Sequence, residues 1–139
     1  MKTISSSTNE TIALGQALGK KLKPGSVVAL IGDLGSGKTV FTKGIAKGLG
    51  VKNARYVNSP TFVIIKEYKG KLPLYHFDLY RLDRHSSLDD MNCEEYFYGR
   101  GVTVIEWADK IRKLLPKNHI EVKFTVIGDR KRRIEVKLQ

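Results

Sequence analysis

The chain has 139 residues, 41% of them hydrophobic and 28% charged, which suits one globular domain spanning 1–139 and excludes a nucleotide domain joined to a separate substrate domain. The formal net charge of +11, from 25 Lys and Arg against 14 Asp and Glu, favours anionic partners such as nucleotide, tRNA or an acidic protein surface without choosing among them. No apolar run is long enough to cross a bilayer, and the single cysteine, Cys93, excludes an internal disulfide.

The opening MKTISSSTNE lacks the apolar core of a signal peptide, so a cytoplasmic, reducing setting is expected. Ser7 to Glu10 fits a capping box, and Ile12, Leu14, Ala17, Leu18 and Leu22 follow at helical spacing until Pro24-Gly25. SVVALIG is then a continuous apolar run of strand length, suited to a strand covered on both faces. A helix starts at Thr39, carries Phe41, Ile45 and Leu49 on one side, and ends at Gly50.

PTFVIIKEY and LPLYHFDLY are β-rich runs around Lys69-Gly70-Lys71, which predicts a hairpin. Ser87 to Tyr98 reads as a helix, GVTVIEW as another buried strand, and Ala108 to Leu115 as a short helix stopped by Pro116. Ile120, Val122, Phe124 and Val126 alternate, as do Ile134, Val136 and Leu138 beyond a basic turn, giving a second hairpin. The order predicts an α/β fold: a mixed, mostly parallel sheet flanked by helices, with antiparallel hairpins at the edge. The basic run DRKRRIEVK is either a solvated hairpin or a cationic flank to nucleotide or RNA, and no aromatic stacking platform accompanies it. Cys93 reads as a packed thiol.

Between the apolar strand and the second helix lies GDLGSGKT, Gly32 to Thr39, with the G-x-x-x-x-G-K-T spacing of a phosphate-binding loop. Glycines let backbone N–H groups approach phosphates, and the following helix adds its positive end. Lys38 is expected to reach the β- and γ-phosphates of a nucleoside triphosphate and Thr39 to give its hydroxyl to Mg²⁺. Hydrolysis also needs a carboxylate for the metal and a group that orients water. Asp78, at the end of LPLYHFD, and Glu106, at the end of VTVIE, are the candidates, and Glu106 is the stronger metal partner because an apolar run precedes it directly. A surface ion pair is the plainer alternative for either acid. SPTF, Ser59 to Phe62, suits either a nucleotide-sensing loop in which Thr61 meets Mg²⁺ or the γ-phosphate, or a simple turn into a strand.

Four ordered blocks, GDLGSGKT, SPTF, HFDLYR and IEW, with ETIALG ahead of them, resemble the TsaE (YjeE) family of small P-loop ATPases over nearly the whole chain. The resemblance implies an ATP-hydrolysing accessory protein that acts with TsaB and TsaD in forming N6-threonylcarbamoyladenosine at adenosine 37 of tRNAs reading ANN codons, with tRNA met only through that complex and no membrane involved. By it, the nucleotide loop is Gly32, Asp33, Leu34, Gly35, Ser36, Gly37, Lys38, Thr39 and Val40; Thr39 and Glu106 serve Mg²⁺; Lys38, Thr61, Asp78 and Glu106 serve catalysis. Trp107 faces the partner, and Thr8 and Arg130 flank the nucleotide, although helix capping and surface charge account for these last two equally well. Read without the family, Trp107 is a core residue. Ser36 stands where the family's loop has alanine, and Val40 where many members carry a second hydroxyl. A small-molecule kinase is the main alternative, but no acceptor-binding insert accompanies Arg81 and Arg84; a GTPase lacks its N-K-x-D block; a nucleic-acid module leaves Asp78, Glu106 and SPTF unexplained.

Overall fold

A computed structural model describes residues 1–58, 65–80 and 92–139. The SPTF block with Thr61, Arg81, Arg84 and the first part of the helix expected from Ser87 lie outside the described residues. The rest follows one sheet in the order β1-β7-β6-β2-β5-β4-β3. Its strands are β1 (Lys2–Ser5), β2 (Val27–Ile31), β3 (Ile65–Tyr68), β4 (Leu74–Asp78), β5 (Val102–Glu106), β6 (Ile120–Gly128) and β7 (Lys131–Leu138). The central strands β6, β2, β5 and β4 run parallel. Antiparallel pairing is confined to the margins, where β3 pairs with β4, β6 with β7, and β7 with β1.

Alternation along the central strands sends side chains to two separate cores. Val28, Leu30, Val102, Val104 and Leu74 join Phe41, Ile45 and Leu49 on one face, whereas Val27, Ala29, Ile105 and Phe77 join Cys93, Phe97, Ala108 and Ile111 on the other. The first face is covered by α1 (Thr8–Gly19) and α2 (Lys38–Gly48). The second receives α3 (Cys93–Phe97) and a 3₁₀ segment, Ala108–Leu114, kinked at Ile111. Cys93 is buried, and desolvation raises its thiol pKa, in keeping with a packing role.

Helix α1 starts at the predicted cap: Ser7 Oγ accepts from Glu10 N at 3.1 Å, while the Glu10 carboxylate reaches back to Ser6 N at 2.5 Å, one residue before the N–H that a capping box would use. Its packing differs from the apolar reading. The fully buried positions are Thr11, Gly15 and Gly19, and Leu14 and Leu18 are only partly buried. The reason is the closeness of α2. A Cβ on Gly15 would stand 2.3 Å from Phe41 O, and one on Gly44 would stand 2.2 Å from Ile12 O. Glycines on both helices let the backbones touch, so α1 lies directly on the helix that follows the glycine-rich loop. Helix α2 ends as expected, with Val51 N–H donating to Ala46 O at 3.0 Å around Gly50 at φ 77°.

The strand β1 is not visible as a sequence run, because a short edge strand of alternating Lys, Thr and Ile has too few apolar residues to stand out.

Candidate functional site

Residues Gly32 to Gly37 join β2 to α2 at the carboxyl end of the parallel strands, the usual ligand crevice of an open α/β sheet. Each loop glycine has a separate reason. Gly37 caps α2 at φ 105°, a left-handed conformation that disfavours any side chain, and a Cβ on Gly32 would meet Ser36 Oγ at 2.6 Å and Phe124 Cβ at 3.0 Å. Gly35 has φ 77° and nothing within 4 Å of where its Cβ would lie, so its left-handed backbone rather than crowding calls for glycine. The buried Ser36 hydroxyl has no hydrogen-bond partner among the described residues.

Lys38 is buried although cationic, at 4% exposure. Its Nζ donates to Gly32 O at 2.5 Å and Asp33 O at 2.9 Å and sits 4.0 Å from the Trp107 ring centroid. Burial lowers its pKa, and the charges of Glu106, Asp78, Asp33 and Asp109 oppose that shift. The ammonium therefore lies folded back on its own loop, surrounded by acids, at the mouth of the glycine cradle.

The acids arrive from adjacent strand ends. Leu30 of β2 pairs with Glu106 of β5, and Glu106 pairs with Asp78 of β4. Glu106 shares strand parity with Val102 and Val104, so its side chain turns toward the α2 face. There Thr39 Oγ1 donates to Glu106 Oε1 at 2.8 Å. His76, fully buried two residues before Asp78, lies 2.5 Å from Glu106 Oε2 through its Nε2. Asp78 is half-buried and accepts Tyr80 N–H at 3.0 Å through Oδ1.

Trp107 is neither plain core nor plain surface. It adopts φ 61°, opens the 3₁₀ segment, packs partly against the second core, and stacks on Tyr80 with ring centroids 5.1 Å apart. Tyr80 in turn accepts Lys110 Nζ on its carbonyl at 2.7 Å. An indole held this way roofs Lys38.

Gly32, Lys38, Thr39, Asp78, Glu106 and Trp107 are thus brought together, while Asp33 and Leu34 are exposed at the tip of the loop and Val40 is half-buried in the first turn of α2. Thr8 and Arg130 stand at the margin. Thr8 is exposed in the first turn of α1, and it is Thr11 one turn on whose methyl carbon approaches Gly37, 3.8 Å from a Cβ built there. Arg130 is exposed at φ 67° in the β6–β7 turn, and the side chain that reaches the loop from that hairpin is Arg132, whose Nη2 is 3.3 Å from Gly35 O. His76, Arg132 and Tyr80 are the site residues that sequence reasoning missed. Period-two alternation could have found His76, which shares the Asp78 face of β4.

The donor set fits a nucleotide better than a bare metal. Among the described residues no group of three or more His, Cys, Asp or Glu side chains is arranged around a metal position, whereas Thr39 and Glu106 present two oxygens at the end of the glycine-rich loop. Such a pair suits a hard cation that keeps most of its waters and arrives with phosphate oxygens. Among the described residues no helix is long and apolar enough to cross a membrane.

Comparison with known proteins bears on the family and the fold. The family model for "Threonylcarbamoyl adenosine biosynthesis protein TsaE" matches residues 5–134. The tRNA threonylcarbamoyladenosine biosynthesis protein TsaE of Bacillus subtilis (strain 168) is 49% identical over 126 residues, covering 90% of this chain and 77% of that protein. The protein of the same name from Treponema pallidum (strain Nichols) is 40% identical over 136 residues, 98% of this chain and 99% of its own. The crystal structure of Bacillus subtilis YdiB superposes with a TM-score of 0.81 at 38% identity, covering 100% of this chain and 86% of that one. With the family model spanning both cores and the loop between them, the chain belongs to the TsaE family.

Proposed function

We propose that this protein is a single-domain cytoplasmic ATPase that binds ATP with Mg²⁺ and serves a TsaB–TsaD complex in forming N6-threonylcarbamoyladenosine at position 37 of tRNAs reading ANN codons. The observation that carries the ATPase reading is the Thr39–Glu106 hydrogen bond of 2.8 Å at the end of the glycine-rich loop. A hydroxyl at the start of α2 and a carboxylate from β5 meet where a phosphate-bound cation needs both. The pathway and the partners rest on family membership, and the names of the relatives support the tRNA modification.

In this reading the loop N–H groups and the N-terminus of α2 cradle the phosphates. Lys38 leaves the Gly32 and Asp33 carbonyls to face the β- and γ-phosphate oxygens. Thr39 and Glu106 hold Mg²⁺, which supplies charge neutralisation at the phosphoryl oxygens when bound. Asp78, on the neighbouring strand end, orients the attacking water, and Thr61 contributes from the SPTF block. Gly32 through Val40 line the nucleotide, with Thr8 and Arg130 at its flanks. Trp107 lies at the rim and offers its exposed edge to the partner. tRNA is met through the complex.

Phosphate release tests the proposal directly. Purified protein is assayed with ATP or GTP, with and without Mg²⁺, alone and with TsaB and TsaD. Mg²⁺-dependent release from ATP that rises with the partners is expected, and Glu106→Ala should lose hydrolysis more than ADP affinity. No Mg²⁺-dependent release under any of these conditions would overturn the ATPase reading. Transfer of phosphate to a small acceptor would favour a kinase instead.

A further inference from the structure

We propose that His76 is the positioning residue of this site: its ring holds one oxygen of the Glu106 carboxylate so that the other is aimed at Thr39 and at the cation shared between them. The inference rests on the Mg²⁺-nucleotide reading and adds to it a residue outside the phosphate loop.

Nε2 of His76 lies 2.5 Å from Glu106 Oε2, and both side chains are buried, at 0% and 3% exposure. Two bare acceptors do not sit at that distance in a dry interior, so a proton lies between them. The other ring nitrogen, Nδ1, is buried with no hydrogen-bond partner among the described residues. A proton on Nδ1 would be a buried donor without an acceptor, which costs more than leaving a lone pair there. The hydrogen-bond pattern therefore assigns the neutral ring with its proton on Nε2, donating to Glu106.

That bond restricts which carboxylate oxygen can face Thr39. A glutamate at a strand end turns easily about its last torsion, and either oxygen could face Thr39. Here Oε2 is tied to His76 on β4 while Oε1 accepts Thr39 Oγ1 at 2.8 Å. The two bonds use different oxygens of the carboxylate, so a cation that replaced Thr39 Oγ1 at Oε1 would leave the His76 bond to Oε2 in place. The ring is itself fixed, since β4 and β5 pair in parallel with His76 opposite Val104, and Leu74 and Phe77 beside it are fully buried. Partners of this kind behind a metal-binding carboxylate change metal affinity by ~10–100-fold when removed.

The experiment uses the full chain with ADP and Mn²⁺ as probes. His76→Leu removes the donor at similar volume, and His76→Gln keeps an N–H at comparable reach. Mn²⁺ affinity of the ADP complex is read by electron paramagnetic resonance, ADP affinity without metal by calorimetry, and folding by thermal melting. In the unliganded wild type, ring ¹⁵N shifts report the tautomer. The expected result is ~10–100-fold weaker Mn²⁺ binding in His76→Leu, recovery to within about threefold in His76→Gln, metal-free ADP affinity near wild type in both, and a wild-type ring protonated on Nε2. Wild-type Mn²⁺ affinity in His76→Leu would overturn the proposal. So would equal loss of metal-free ADP binding and of melting temperature in both variants, which marks a packing role, or a proton on Nδ1. Should His76→Leu fail to fold, His76→Gln and the ring shifts still decide. Failure of the underlying reading is distinct, because the wild type itself would then bind ADP with no dependence on metal.

Discussion

Replacing Lys38 by Met separates what that residue does for the fold from what it does for a ligand. In the proposed complex the ammonium faces phosphate oxygens, and a hydrogen bond to a charged group contributes about 1.5–3 kcal/mol, so two give about 3–6 kcal/mol. Against this stand the contacts it leaves: Gly32 O, Asp33 O and the Trp107 face. Water can take over the carbonyls, and the ring contact is worth about 0.5–2 kcal/mol. The difference, about 1–5.5 kcal/mol, corresponds to ~5–10,000-fold in ATP affinity. The unliganded fold should respond very differently. Burial already disfavours the Lys38 charge, and Met preserves volume and contact with the indole, so urea stability should stay within about 1 kcal/mol of wild type. Calorimetric titration with ATP and urea melting on the same sample make the comparison. ATP affinity within threefold of wild type in a folded variant would refute the phosphate role. A stability loss beyond about 2 kcal/mol would show that the lysine ties the loop together instead.

The lowered pKa of Lys38 makes a pH prediction whose sign is set by burial. Between the lowered value and 10.5 the unfolded chain binds more protons at this residue than the unliganded fold does, so its contribution to stability improves as pH rises through that window. ATP surrounds the same amine with anionic oxygens, so binding should take up a proton there and weaken as pH rises; calorimetry in buffers of different ionisation heat would show no uptake at alkaline pH if the idea is wrong. Gly44→Ala should destabilise by about 1–3 kcal/mol despite the better helix propensity of Ala, because its Cβ would stand 2.2 Å from Ile12 O; a more stable variant in urea would contradict the close helix contact. Trp107→Ala should cost about 1–3 kcal/mol, less than a fully buried Trp, since the ring is half-buried between Lys38 and Tyr80. A pull-down of the folded variant should show weaker association with TsaD, and undiminished binding would remove Trp107 from the interface.

Local chemistry made much of this protein legible from its residues in order. Gly32, Gly35, Gly37, Lys38 and Thr39 announced a strand-to-helix loop because the spacing requires left-handed turns and a following helix, and Gly35, Gly37 and α2 have that form. The Ser7 cap, the Gly50 stop and the hairpin between Val126 and Lys131 depend on neighbours a few residues away, so the chain alone announced them. Glu106 and Asp78 were readable as strand-end acids, since an apolar run ending in a carboxylate carries its own signal. What could not be read was anything that depends on two distant segments meeting. That β5 lies between β2 and β4, bringing Glu106 beside both Thr39 and His76, is a property of strand order, and strand order leaves no mark on either strand. Glycines 15, 19, 44 and 48 carry no signal in the sequence of their helices, and their role shows only where the two helices touch through them. Arg132 rather than Arg130 reaches the loop because strand pairing places Arg132 opposite Ser5 and Val126, at the loop's end of the sheet, while Arg130 is spent in the turn. Trp107 looked like core because a large ring beside a buried strand usually is, and only the left-handed backbone after Glu106 turns it over Lys38. Contacts close in sequence write themselves into spacing and residue type; contacts across the sheet are decided when the chain folds back, by which apolar faces must share a core.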